Sequence, residues 1–588
     1  MNYNLYDLQQ SSKDKSSAWS ALKKLLRLIK GERKNLIVAF TAILINSGLN
    51  LLGPLLIGYT IDHYVQTRQM HGVLVYSSIL LGIYLLALGA NYLQTQLMGS
   101  IGQRVLYTLR NAIFEKLQSL PVAFFNQNKA GDLISRINND TDKLNQFFSQ
   151  SLMRFVGGIA TMIGAGIFLL SIQLNLGAAA LLPALLIVVF TRVVSPWVKR
   201  KNAVNLKTVG GMSAEVQESL ANFKTIIAFN RRDYFRERFD RANQSNYKTA
   251  VGAGLANNLL MPVYSLFTNI AQLIVLVYGI YLIAGGHFTV GLLISFLAYA
   301  NNFYSPLRQL AALWANFQVA LAGWDRISYI LGLESDLKTG IGVAARSGTS
   351  SVLEFRNVHF SYPQGKKVLH QVSFTLERGK TYAFIGPTGG GKTTSASLIA
   401  RLYDPEEGTV FLDGKDIRSY SAAERSRKIG FILQDPFLFT GTVKDNILYA
   451  NERFTDCSDE ELIRILEQAH LGVLLEKFEG GLQSRVESGG DSLSLGQKQL
   501  IAFIRAVLRN PEILILDEAT ANIDTVTEKL LEDILKNLPG STTRVIIAHR
   551  LNTIENADEI FFVNAGEVTP AGSLGNAMNL LLQGKRTS

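Results

Sequence analysis

Long stretches without a formal charge fill the first half of the chain, separated by stretches dense in lysine and arginine, and the pattern stops near residue 350. A hydrocarbon core of roughly 30 Å needs about 20 apolar residues of helix. From Asn35 to Ile61 there is no Asp, Glu, Lys or Arg, which predicts one span. A second uncharged run follows Arg68 and lasts to Gln103. The run between Arg154 and Arg192 is broken by Gln173–Asn175 and Gly177, so it holds two spans and a short turn. Thr249 to Leu307 holds two more, turning at Gly285, Gly286 and His287. Six spans are predicted. After residue 352 apolar and charged positions alternate as in a soluble domain.

The segments between spans set the orientation. Those near 62–72, 173–177 and 285–287 are short and nearly uncharged, whereas 104–154 and 199–248 are long and basic. The positive-inside rule makes the long ones cytoplasmic, and with them both termini. The long segments have helical patterning with few prolines or glycines, so the membrane helices are expected to run on beyond the bilayer. Phe124-Phe125-Asn126, then Gly131-Asp132 and Ser135-Arg136, is the expected turn in the first hairpin. Ser213 to Glu218 is expected to precede a further helix in the second. Before the first span, Leu22, Leu25, Leu26 and Ile29 recur at helical spacing beside Lys23, Lys24, Arg27 and Lys30, with Trp19 at the start. That pattern suits an interfacial amphipathic helix. The predicted organisation is a cytoplasmic segment over 1–34, a six-helix membrane domain over 35–330, a linker over 331–351 and a globular domain over 352–588.

Composition narrows the class. The mean hydropathy of +0.16 is too high for an ordinary soluble enzyme. A net charge of +11 could suit nucleic acid, but the basic residues flank apolar spans, where lipid headgroups are the natural partner. A single cysteine, Cys457, excludes an internal disulfide framework or a cysteine metal cluster. Polar residues inside the spans are neutral, among them Asn46, Asn50, Asn91, Asn269, Asn301 and Asn302. The lack of an intramembrane charge argues against a proton-coupled carrier and fits amphipathic or neutral cargo.

The globular part carries the chemistry. Lys380–Ile385 is an apolar strand running into Gly386, Pro387, Thr388, Gly389, Gly390, Gly391, Lys392, Thr393 and Thr394. This is the phosphate-loop pattern in its strand–loop–helix context. Glycines let backbone N–H groups curl around phosphate oxygens, and the following helix adds its positive end. Lys392 is expected to reach the β- and γ-phosphates of ATP, and Thr393 to hold Mg²⁺. A second apolar strand, Ile513 to Leu516, ends in Asp517 and Glu518. Asp517 suits the Mg²⁺ shell, and Glu518 suits the base that polarises attacking water. His549 follows the strand Arg544–Ala548 and is expected to supply a further contact to the γ-phosphate.

On these residues, 352–575 resembles the nucleotide-binding domain of the ATP-binding cassette family, of α/β phosphate-loop fold. The family signature LSGGQ appears as Leu493, Ser494, Leu495, Gly496 and Gln497, followed by Lys498. The resemblance implies that Tyr362 stacks on adenine, that Gln434 senses the γ-phosphate and Mg²⁺, and that Asp524 closes the loop after the glutamate. The membrane half resembles the exporter branch, which implies a multi-pass protein of the plasma (bacterial inner) membrane. In that family each ATP lies between one phosphate loop and the signature of a second domain, so the resemblance implies a dimer.

Three positions depart from the family pattern. Leu495 replaces a glycine, Glu487-Ser-Gly-Gly490 replaces Gly-Glu-Arg-Gly, and Ala521 replaces a serine. Two readings follow: a homodimer with two equal sites, or one half of a heterodimer pairing this chain's Glu518 with the partner's intact signature. The heterodimer is favoured. In it the second site, formed with Ser494 and Leu495, binds ATP and hydrolyses it poorly. The expected function is ATP-driven export of amphipathic small molecules, drugs or lipids by alternating access. The alternative is a non-transporting protein of the same architecture, a nucleotide-gated channel or a regulatory subunit. An importer or a nucleic-acid ATPase fits less well.

Overall fold

The structure is a computed structural model and describes residues 3–5, 30–337, 351–362, 365, 367–454, 457–490, 492–517, 525–547 and 554–584. The expected interfacial helix, most of the linker, and Glu518, Ala521, Asp524 and His549 lie outside the described residues. Two compact units form: one from Lys13–Leu117 and Gly131–Gly332, the other from Met1–Ser12, Gln118–Ala130 and Leu333–Ser588.

The first unit is helical. Its long helices are α1 (Arg33–Val65) and α2 (Met70–Gln118), then, beyond the short α3 (Val122–Gln127), α4 (Ala130–Ile172) and α5 (Leu174–Ala221). After the short α6 (Phe223–Ala228) come α7 (Arg232–Ala284) and α8 (Val290–Gly332). Among the described residues, five helices are long and apolar enough to cross a membrane: α1, α2, α4, α5 and α7. The sixth predicted span falls on α8, a 43-residue helix whose apolar run is diluted by Asn301, Asn302, Tyr304 and Pro306. Several helices are longer than a bilayer crossing needs, α7 reaching 53 residues.

The second hairpin turns later than the sequence suggests. Ser213–Glu218 stays inside α5, because these residues contain no breaker, and the break comes at Asn222, before α6. In the first hairpin, Pro121 caps α3, and Gly131 to Arg136 belong to α4 rather than to the turn.

Polar side chains lock the helices together where apolar burial gives little drive. The Tyr299 hydroxyl donates to the Leu51 carbonyl and the Tyr304 hydroxyl to the Ala180 carbonyl, each at 2.7 Å. Ser295 donates at 2.7 Å to the carbonyl of Pro54. Asp62 accepts from the Gly291 N–H at 2.7 Å and from Thr289. A Cβ on Gly291 would lie 2.1 Å from the Gly58 carbonyl, so glycine is what lets α1 and α8 touch there.

The described residues of the second unit form two large sheets and a two-stranded ribbon of Gly441–Thr442 with Arg485–Val486. In the four-stranded sheet β1 (Ser351–Ser361) pairs antiparallel with β2 (Lys367–Glu377) and β4 (Glu407–Leu412), and β5 (Lys415–Asp416) forms the edge. The six-stranded sheet is mostly parallel. Its strands are β3 (Thr381–Ile385), β6 (Ile429–Ile432), β7 (Ile513–Asp517), β8 (Thr543–Ile547), β9 (Glu559–Asn564) and β10 (Glu567–Pro570), in the order β10-β9-β3-β8-β7-β6. Strands β3 and β7 are buried almost throughout, as strands covered on both faces must be. The register sets Ile547 beside both Phe384 and Asp517, which aligns the carboxyl ends of β3, β8 and β7. Ligands of open parallel sheets bind beyond such ends.

Candidate functional site

The chain leaves β3 at Gly386 and enters helix α9 (Lys392–Ile399), and the loop between is shaped by close backbone approach. Gly386 has φ +146°, and a Cβ there would sit 2.0 Å from the Val563 carbonyl at the end of β9. A Cβ on Gly390 would lie 2.6 Å from the same oxygen. Gly391 caps α9 at φ +116°, a left-handed conformation that strains any other residue. The loop is tied from outside by Gly566, whose N–H donates to the Gly390 carbonyl at 3.1 Å. The result is a tight loop opening onto the N-terminus of an eight-residue helix.

The lysine side chain folds back onto the loop. Lys392 is 6% exposed, and its ammonium donates back to the Gly386 and Pro387 carbonyls at 2.8 and 3.1 Å. This folds the charge over the loop's concave side, where a polyphosphate would lie. Thr393 donates through its hydroxyl to Asp517 Oδ1 at 3.3 Å, and Asp517 is 2% exposed. A buried carboxylate beside a hydroxyl is a pair of hard oxygen donors, the kind Mg²⁺ prefers when phosphate oxygens complete its shell. Among the described residues no cluster of three His, Cys, Asp or Glu could hold a metal alone.

Thr394 hydrogen-bonds at 3.1 Å to the hydroxyl of Tyr362, which ties that aromatic to the start of α9. Tyr362 packs edge-on against Phe360 and Tyr403. Tyr403 is a contact that sequence reading missed, because no local motif marks it. Its hydroxyl accepts from Asn126 at 2.7 Å, and burial pushes the phenol pKa up against that bond. Gln434 follows β6 on the surface, and its carbonyl accepts from Gln499 at 3.4 Å.

The signature residues lie at another helix start. Helix α11 (Leu495–Leu508), which follows α10 (Asp459–Gln468), is capped by Ser494. The Ser494 hydroxyl accepts from the Gln497 N–H at 3.2 Å, and Gln497 Oε1 accepts from the Ser494 N–H at 3.0 Å. This reciprocal box uses a lone pair and leaves the serine proton free to face a phosphate. Leu495 is 37% exposed, and Gly496 follows it. The hydrogen bonds of Lys392, Thr393 and Thr394 described above go to the loop carbonyls, Asp517 and Tyr362, whereas those of Ser494 stay at the start of α11.

The helical unit has a cavity of its own, about 290 Å³, lined by Asn46, Asn50, Asn91, Gln94, Gln309 and Arg154 among others. Gln94 is 5% exposed and donates to Asn91 at 2.7 Å, yet its Oε1 has no partner among the described residues. A buried amide oxygen without a donor is costly unless a ligand or water meets it.

A phosphate-loop ATPase on the same polypeptide as several membrane-crossing helices defines an ATP-driven membrane transporter. The ABC transporter transmembrane region matches residues 36–307, and the ABC transporter ATPase pattern matches residues 369–521. An uncharacterized ABC transporter ATP-binding protein of Bacillus subtilis, YknV, is 32% identical over 568 residues, 95% of this chain and 92% of that protein. The fatty acid ABC transporter ATP-binding/permease protein of Mycobacterium tuberculosis is 32% identical over 496 residues, 84% of this chain and 78% of that protein. The ATP-dependent lipid A-core flippase of Syntrophus aciditrophicus is 30% identical over 557 residues, 94% of this chain and 91% of that protein. The chain therefore belongs to the ATP-binding cassette transporter family, as a multi-pass membrane ATPase of the exporter type. Exporters of this family work as dimers.

Proposed function

We propose that this chain is the hydrolysing half of a heterodimeric exporter of amphipathic molecules, with its ATPase unit in the cytoplasm. The observation that carries the proposal is the pairing of a complete phosphate loop, with Lys392 folded over it, and a signature altered at Leu495. The competent site takes Lys392, Thr393, Asp517, Gln434, Glu518 and His549 from this chain and the signature from its partner. Lys392 and the loop amides bind and orient the phosphates, and Thr393, Asp517 and Gln434 would hold Mg²⁺. That ion supplies charge compensation when bound. Glu518 takes the proton of the attacking water, Tyr362 stacks on adenine, and Asp524 lines the loop beyond the glutamate. At the other site Ser494, Leu495, Gly496 and Gln497 face the partner's ATP, and the leucine side chain crowds the phosphate.

The amide-lined cavity supports an amphiphile whose polar head donates a hydrogen bond to Gln94 and whose negative charge meets Arg154. The fatty acid and lipid A names of two relatives agree with such a cargo. Alternating access joins the two ends of the molecule: ATP closes the ATPase units, the long hairpins carry that closure, and hydrolysis resets the cavity.

The test is ATPase activity of this chain purified alone and with the product of its neighbouring gene, each with and without Glu518→Gln. The proposal expects full turnover only from the pair, with Glu518→Gln lowering it by about 10² to 10⁴, the range of a lost general base. Equal turnover from the chain alone would establish the homodimer instead.

A further inference from the structure

Three stretches distant in sequence converge on the ATPase unit, and the catalytic reading uses none of them. Tyr3 and Leu5 are 0% and 1% exposed. Hydrogen bonds from a second stretch hold this short segment in place. The Tyr3 N–H donates to Gln127 Oε1 at 2.8 Å, and the Leu5 N–H donates to Asn128 Oδ1 at 3.0 Å. Asn128 Nδ2 donates back to the Tyr3 carbonyl at 2.9 Å and to the Phe124 carbonyl at 2.8 Å.

The Tyr3 side chain reaches the third stretch. Its hydroxyl donates to the Glu334 carbonyl at 3.1 Å and accepts from the Asp336 N–H at 2.9 Å. Its ring meets Phe124 edge-on, with centroids 6.3 Å apart. Burial pushes the phenol up to about 12, so it stays a neutral donor at physiological pH. Helix α3 is thus held from one side by residues 3–5, which are also fastened to the segment following α8. Also from α3, Asn126 donates to Tyr403 at 2.7 Å, and Tyr403 packs edge-on against Tyr362 with centroids 5.5 Å apart.

We propose that Tyr3, supported by Leu5, is a positioning residue of the ATPase: it clamps α3 to residues 334–336, which keeps Asn126 on Tyr403 and Tyr403 braced against Tyr362. The inference rests on the reading of Tyr362 as the adenine platform. The contacts of Tyr3 and Leu5 go to residues 124–128 and 334–336, not to the phosphate loop. Their effect should therefore appear in nucleotide affinity rather than in the chemical step.

The experiment uses the full chain with its partner in lipid nanodiscs, as wild type, Tyr3→Phe and Tyr3→Ala. Hydrogen exchange is followed at 122–128, with β3 as the internal reference, and KM for ATP is measured beside kcat. Tyr3→Ala should speed exchange at 122–128 by about tenfold and leave β3 unchanged. It should raise KM by about three- to tenfold, the weight of an ordinary hydrogen bond, with kcat within about twofold. Tyr3→Phe keeps the ring contact and should fall between the two. Unchanged exchange at 122–128 overturns the proposal. Equal acceleration in β3 also overturns it, because Tyr3 would then serve the fold as a whole. Faster exchange at 122–128 with unchanged KM overturns it as well, and Tyr362→Ala, measured alongside, shows whether the adenine assignment falls too.

Discussion

The carbonyl of Val563 occupies the space that a side chain on Gly386 or Gly390 would need, so a single methyl group decides whether the phosphate loop can form. Gly390→Ala is therefore expected to lower ATP affinity by at least about tenfold, since a Cβ 2.6 Å from a strand carbonyl forces the loop open. Gly575→Ala is the matched control. Nothing lies within 4 Å of that Cβ, and alanine in a helix is favoured by up to about 1 kcal/mol. Binding of a fluorescent ATP analogue to both variants measures the contrast. At this scale the sequence was informative where chemistry is local: the glycines, Lys392 and Thr393 are a contiguous motif, and Lys392 folds back onto the loop carbonyls while Thr393 reaches Asp517. Val563, Gly566 and Tyr403 were silent, because they reach the loop through the pairing of β9 with β3 and through a tertiary contact, which no short pattern encodes.

At the scale of elements, the two sheets are fastened by charge as well as by packing. Arg378, after β2, reaches Glu512 at 2.7 Å and Asp413 at 2.6 Å. Lys428, before β6, reaches the same two carboxylates at 2.5 and 2.7 Å. Burial pushes the Glu512 carboxyl up, but the bonds from Lys428 and Arg378 outweigh it and hold the pKa below the ordinary value. A depressed carboxylate adds stability above its unfolded pKa and loses it as pH falls through the folded one. Glu512→Gln should therefore flatten the fall of the thermal midpoint between about pH 7 and about pH 4, and added salt should weaken the wild-type effect. A pH profile as steep in the variant as in the wild type would contradict this. Helices were legible as elements because uncharged runs and breakers mark them. Their ends were less so: α5 runs through Ser213–Glu218 to Ala221, since good helix formers carry no stop signal.

On the scale of the whole molecule, hydropathy alone separated a membrane half from a soluble half, and both family patterns fall on those halves. The sixth helix shows the limit of that reading. Its Asn301 and Asn302 lower its apolar character, and Tyr299 and Tyr304 anchor it to α1 and α5 instead. Cargo was the least legible property: Asn46, Asn50 and Asn91 stand out in sequence as neutral polar residues within the spans, but nothing local marks Gln94, Arg154 and Gln309, which line the same proposed cargo cavity. Gln94→Leu, which removes the unpartnered oxygen, is expected to reduce stimulation of ATPase activity by an anionic amphiphile by about three- to tenfold, with basal turnover within about twofold. Equal stimulation in wild type and variant would take Gln94 out of the cargo site.

The central claim is that ATP hydrolysis on this chain drives vectorial movement of an amphiphile. Its most direct test is uptake of a fluorescent anionic lipid or fatty acid analogue into inside-out vesicles containing this chain and its partner. Accumulation is expected with ATP, and none with the Glu518→Gln variant or with a non-hydrolysable analogue. Uptake that survives Glu518→Gln, or ion current under ATP without any uptake, would contradict it.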